Sequence, residues 1–110
     1  MKVYGHLVDN QTRCKHYAST KDIIAIKFNC CHKYYPCYKC HNELETHAIS
    51  VWKEEDFDEL AILCGVCKTE LPIRRYLKVD QCPNCHSEFN RGCQKHYHLY
   101  FDYNKGCSLN

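Results

Sequence analysis

No run of apolar residues in this 110-residue chain approaches the roughly 20 needed to cross a bilayer, so the sequence argues against a membrane-spanning helix and no membrane partner is expected. The opening segment, residues 1–13, also lacks the apolar stretch and small-residue cleavage site of a secretory signal, and it reads as the start of a mature intracellular chain. With only four glycines and three prolines, there is no Gly/Ser linker and no glycine-rich phosphate loop; an HExxH metalloprotease helix is missing too. Large aliphatic residues gather mainly in two short runs, residues 23–28 and 60–63. That is too little for a self-sufficient core at this size, so something other than apolar burial must hold the fold.

What is abundant is cysteine, 11 residues, together with eight histidines. A cysteine content of about one residue in ten marks either a disulfide scaffold or a metal scaffold. An odd cysteine count forbids complete internal pairing, and repeated CxxC spacing without a secretory signal favours metal. Charge follows from the same choice. Nine thiolates against three dications turn the formal +2 into −1, so phosphate-driven binding of nucleic acid is not expected.

The clearest site lies in the second half of the chain. Cys64/Cys67 and Cys82/Cys85 are two CxxC pairs separated by fourteen residues, close to the spacing at which paired knuckles close around one tetrahedral ion. Four thiolates leave no open position, so such a site is structural; they do not by themselves choose between zinc and iron. The first half offers eight donors in four close pairs: Cys14/His16, Cys30/Cys31, Cys37/Cys40 and His41/His47. Eight donors make two sites. Sequential filling would give Cys14, His16, Cys30 and Cys31 to one ion and Cys37, Cys40, His41 and His47 to the other. Interleaving would join Cys14/His16 with Cys37/Cys40, and Cys30/Cys31 with His41/His47. Spacing leaves both open; interleaving is favoured because adjacent Cys40 and His41 project apart in extended chain.

The local pattern predicts a strand over residues 22–28, a helix-like stretch over 41–49, a strand over 60–63 and a β-rich return over 71–79. His41 and His47 are six apart, so a regular helix cannot aim both at one ion and a bend must intervene. Three units result: residues 1–51 with two zinc sites, an acidic connector over 52–59 with five carboxylates, and a zinc-ribbon-like unit over 60–110 ending in an aromatic tail. The fold class is a small metal-stabilised domain, β-rich with a short helix.

Outside the twelve donors, Cys93 and His96 have the spacing of half a metal site, whose other half would have to come from His98, His6 or Cys107. A free cysteine is more often a small buried hydrophobe. His32 and His86 directly follow cysteine donors and read as groups behind the ligands or on the surface, since a four-ligand ion needs no fifth. The nine tyrosines read as packing around the metal sites, with hydroxyls left wet. A zinc deaminase needs H-x-E before P-C-x-x-C; here both His41-Asn42-Glu43 and His86-Ser87-Glu88 follow the one such motif, residues 36–40, which argues against that enzyme class.

Cys14-Lys15-His16-Tyr17 resembles the CxHY signature of the CHY-type zinc finger family. Phe28 to Cys31, Tyr35 to His41, His47, both later CxxC pairs and the tail His96 to Phe101 follow in that family's order. The resemblance covers nearly the whole chain and implies three zinc ions, with the first two sites interleaved. Family members include a domain preceding the RING of a ubiquitin ligase, a fungal helper of small Tim protein assembly in the mitochondrial intermembrane space, and short bacterial proteins. With no RING here, ligase activity does not carry over, and the stand-alone form is similar to the helper and the bacterial proteins. The expected function is zinc binding by a non-enzymatic structural or interaction module with a protein partner. The alternative is a zinc or thiol handling protein like that helper. The expected compartment is the cytoplasm, or the intermembrane space in a eukaryote.

Overall fold

The computed structural model describes residues 3–18, 20–89 and 100–101. Four short strands form one antiparallel sheet: β1 (Ile24–Lys27), β2 (Tyr34–Tyr35), β3 (Leu60–Cys64) and β4 (Glu70–Pro72), in spatial order β2-β1-β3-β4. The β-branched run ahead of Phe28 becomes β1, as its composition requires, and it pairs with β3 so that Ile24 faces Cys64 and Ile26 faces Ile62. The sheet therefore crosses the acidic connector and joins strands from both halves of the sequence.

The connector holds a 3-10 turn, Glu54–Asp56, with its first two glutamates in solvent. Its two aromatic residues, Trp52 and Phe57, are buried, and the Trp52 indole donates to the Lys27 carbonyl at 2.7 Å. Arg74 reaches back to Asp58 at 3.0 Å and lies over the Phe57 ring. The tail re-enters the core at Tyr100 and Phe101: Trp52 donates its amide to the Tyr100 carbonyl, and Phe101 is fully buried. Cysteines belong to the same core, where Cys14, Cys37, Cys40, Cys64 and Cys82 pack among Phe28, Tyr35, Ile62 and Ile73.

Two elements differ from the sequence expectation. The helix expected from His41 starts earlier and stops sooner, as α1 (Tyr38–Leu44), because Cys37 caps it: its sulfur accepts the Cys40 amide at 3.4 Å. At Glu45 the backbone is extended, which supplies the bend that the His41/His47 spacing demands. The expected β return over 71–79 is strand only as far as Pro72 and then turns into α2 (Ile73–Tyr76). Proline suits the position before a first helical turn, and Ile73 and Tyr76, three apart, are the buried pair, a helical rather than a strand period.

Three turns share one construction. Residues 28–33, 64–69 and 82–87 are each closed by two main-chain bonds, from the first amide to the sixth carbonyl and from the fifth amide back to the first carbonyl. The fifth residue, His32, Lys68 or His86, sits at φ 56, 64 or 65, the left-handed region where glycine is at ease. His32 and His86 are exposed turn residues outside the three donor groups.

Replacing His86 with glycine should stabilise the zinc-loaded protein by about 0.5–1 kcal/mol, through relief of the left-handed Cβ contact offset by lost unfolded-state order. Gly65→Ala should do the opposite. A Cβ there would stand 2.2 Å from the Gln11 carbonyl oxygen and 2.7 Å from the buried Thr12 hydroxyl, so a loss of roughly 1–3 kcal/mol is expected from overpacking. Thermal melts of the loaded proteins check both; a G65A variant as stable as the parent would contradict the close packing of these two loops.

Candidate metal centre

The twelve donors converge on three places. Cys14, His16, Cys37 and Cys40 form one group, Cys30, Cys31, His41 and His47 a second, and Cys64, Cys67, Cys82 and Cys85 a third; within each, the donor atoms lie within 4.8 Å of one another. The first two groups are the interleaved combination. Interleaving follows from α1: Cys37 caps it, Cys40 faces the first group, and His41, one residue and about 100° further round, faces the second.

The distances test whether a metal suits these groups. A disulfide needs sulfurs about 2.05 Å apart. A tetrahedral zinc ion instead spaces neighbouring sulfurs about 3.8 Å apart, sulfur and nitrogen about 3.6 Å, and two nitrogens about 3.3 Å, given the usual bond lengths. The sulfurs of Cys14 and Cys37 are 3.6 Å apart, Cys30 and Cys31 4.0 Å, Cys64 and Cys85 3.8 Å, and Cys67 and Cys82 3.6 Å. His16 Nδ1 lies 3.5 Å from the sulfurs of both Cys37 and Cys40, and His41 Nε2 is 3.2 Å from His47 Nε2. The donor sets fit zinc.

The thiols respond to one another as such crowding requires. The Cys37 contact holds Cys14 well below the usual thiol range, and the same contact, with burial, pushes Cys37 up. Burial pushes up Cys40, Cys64 and Cys82, whereas Cys85 is held down by the Ser87 hydroxyl. Each of these two groups can thus ionise only partly on its own. A dication, when bound, supplies the charge that lets every thiolate form.

A ring of polar residues aims the donors. His16 offers Nδ1 to the first group and places Nε2 3.0 Å from Glu43, whose other carboxylate oxygen is 2.9 Å from His6 and 3.5 Å from Lys15. The His6 backbone amide donates to the Cys40 sulfur at 3.4 Å. In the second group, His41 is fully buried, stacked on Phe28 with ring centroids 4.5 Å apart, and its Nδ1 is 3.2 Å from the Asn42 side-chain oxygen. His47 Nδ1 is 3.7 Å from Glu45, which also binds Lys33 at 3.1 Å and accepts from the Tyr35 hydroxyl. In the third group, Thr69 and Ser87 hydroxyls lie 3.3 Å from the sulfurs of Cys67 and Cys85.

Sequence reasoning did not assign these supporting roles. The hydroxyl two residues past each second cysteine, Thr69 and Ser87, is a visible repeat that could have been read. Nothing in spacing marks Glu43 or Glu45, which act across the fold. Cys93, His96, His98 and Cys107 lie outside the described residues. Replacing Glu43 with glutamine should weaken metal holding in the first group by about 10–100-fold, the usual cost of removing a carboxylate behind a histidine ligand. Chelator competition measures it; unchanged affinity would mean that His16 is fixed by its packing alone.

Comparison with known proteins agrees with the geometry. Residues 14–92 match the CHY zinc finger family. The Helper of Tim protein 13 of Saccharomyces cerevisiae is 47% identical over 103 residues, covering 90% of this chain and 89% of that one. The Kluyveromyces lactis protein of the same name is 45% identical over 100 residues, covering 91% and 88%. An uncharacterised protein of Schizosaccharomyces pombe is 41% identical over the same length, again covering 91% and 88%. With every donor of the three groups lying inside the matched span, this zinc-binding chain belongs to the CHY zinc finger family.

Proposed function

We propose that the chain is a non-enzymatic zinc protein holding three ions, one in each group, and that the metal-fixed surface engages protein partners in the assembly of small Tim proteins. One observation carries the reading: each group has four donors at tetrahedral spacing, a complete set with no position left for a substrate. The names of the two yeast relatives support the Tim connection. They also favour the intermembrane space over the cytoplasm as the place of action.

In this reading Cys14, His16, Cys37 and Cys40 ligate the first ion, Cys30, Cys31, His41 and His47 the second, and Cys64, Cys67, Cys82 and Cys85 the third. Segments 1–51 and 60–110 are two metal-bearing halves, and 52–59 links them. Zinc neutralises the clustered thiolates; the residues do the rest. Main-chain bonds close the three turns, Phe28 and Tyr35 wall in His41, and Glu43 fixes the direction of His16. Neither a membrane nor nucleic acid enters this reading. Among the described residues no helix is long and apolar enough to cross a bilayer. Arg74, one of the two adjacent arginines, is engaged by Asp58.

A second reading, zinc or thiol handling, is favoured by the exposure of His47 at the edge of the second group.

Native mass spectrometry should find three zinc ions on the purified chain. Each is worth on the order of 10 kcal/mol of folding free energy, judged by small zinc peptides. Cys64→Ser should therefore cost the circular dichroism of both halves, because β3, which ends on Cys64, lies between β1 and β4. A C64S protein with unchanged spectrum and zinc content would refute the coupling. Association with purified small Tim proteins should vanish on chelation; binding that survives complete zinc removal would refute the metal-fixed surface.

A further inference from the structure

The hairpin that leads into Cys14 and His16 is seated on the turn that carries Cys64 and Cys67. It is closed by a Leu7–Cys14 bridge and by the Val8 amide, which donates to the Arg13 carbonyl at 2.9 Å. Asp9 shapes its tip, accepting from the Gln11 amide at 2.9 Å and pairing with Arg13 at 2.8 Å. The tip rests on Gly65, where the lack of a side chain leaves room for the Gln11 carbonyl and the Thr12 hydroxyl. The Lys68 ammonium then donates to the Asn10 carbonyl and, at 2.6 Å, to the Gly65 carbonyl. One cation thus ties the tip to the turn.

The hairpin tip is strained. Thr12 is β-branched, yet its φ is 68, and its buried hydroxyl has no hydrogen-bond partner among the described residues. A residue held this way, with an orphaned polar atom, persists only where its surroundings over-determine it, and here the surroundings are Gly65 and the turn. The turn has its own support. Lys68, at φ 64, closes it by donating its amide to the Cys64 carbonyl, and Cys64 donates to the Thr69 carbonyl. Across from it the second CxxC pair places Cys85 3.8 Å from Cys64 and Cys82 3.6 Å from Cys67, a crowding that four thiolates sustain only around a dication.

We propose that Lys68 and Gly65, though they belong to the turn of the third group, are positioning residues of the first. Through the hairpin tip they keep Cys14 and His16 over Cys37 and Cys40, which belong to α1 and its cap, so that the first ion is held at full strength only while the third is in place. The proposal rests on the three-ion reading. Thr12 makes the hairpin a two-state element: when the turn loosens, the strain at Thr12 relaxes and carries the return strand away from α1. Coupling between sites is reciprocal, so the first ion steadies the third by the same factor.

Cadmium is loaded onto the full chain in place of zinc, since it takes the same thiolate and imidazole donors and its NMR line position reports how many of them are sulfur. The four-sulfur, three-sulfur and two-sulfur groups then give separate lines. EDTA is added in steps, and the concentration at which each line is lost is compared between the parent, Lys68→Met and Gly65→Ala. Lys53→Met, at an exposed lysine that caps the 3-10 turn, controls for one lost charge. Lys68→Met and Gly65→Ala should each lose the three-sulfur line at EDTA concentrations at least about fivefold lower than the parent, the low end of ordinary coupling between sites. The four-sulfur line should stay in place, with circular dichroism at full loading unchanged, and Lys53→Met should match the parent. A three-sulfur line that does not move in either variant would overturn the proposal. So would an equal shift in the control, or all three lines moving alike, which would mean a general loss of stability. Fewer than three lines from the loaded parent would overturn the three-ion reading and the proposal with it.

Discussion

Sulfur atoms at contact distance, without a bond between them, impose a condition on everything around them: they can be buried together as thiolates only around a cation. Nine cysteines of this chain are held free in three such groups, five of them fully buried. Buried unpaired charge is among the costliest things a fold can contain, and a bound dication would offset that cost. The scarcity of aliphatic residues follows. Cysteine sulfurs occupy core positions that leucine or valine would fill in a metal-free domain, and aromatic rings, Phe28 on His41 above all, close the space around them.

The sheet carries this chemistry from one half of the chain to the other. β1 runs toward Cys30 and Cys31, while its neighbour β3 runs antiparallel and ends on Cys64 opposite Ile24. The second and third groups therefore sit at opposite ends of one strand pair. The first group is tied to the third by a different route: the loop at Asn10 accepts from Lys68, and Thr12 packs on Gly65 in the turn of the first CxxC pair. Loss of one ion is thus felt beyond its own ligands.

Much of this was legible beforehand. The stretch 22–28 read as a strand and forms one over 24–27, and the six-residue gap between His41 and His47 required the break that occurs at Glu45. Two misreadings share a cause. The start of α1 and the turn of Ile73 to Tyr76 into helix depend on a cysteine cap and on a buried i, i+3 pair, neither of which a β-propensity count registers. Glu43 and Glu45 looked like ordinary helix formers because their partners, His16 and Lys33, are 27 and 12 residues away.

By itself the sequence determined the candidate donors and their local pairing, since two cysteines three apart must share one turn, and with them the family. It did not determine which pair meets which. Adjacent residues on a helix point in different directions, so the parting of Cys40 from His41 was decided by where α1 lies against β2 and the two loops it bridges. The tertiary structure also decided how closed each group is, because burial of a histidine depends on the rings and carboxylates that packing brings from distant parts of the chain.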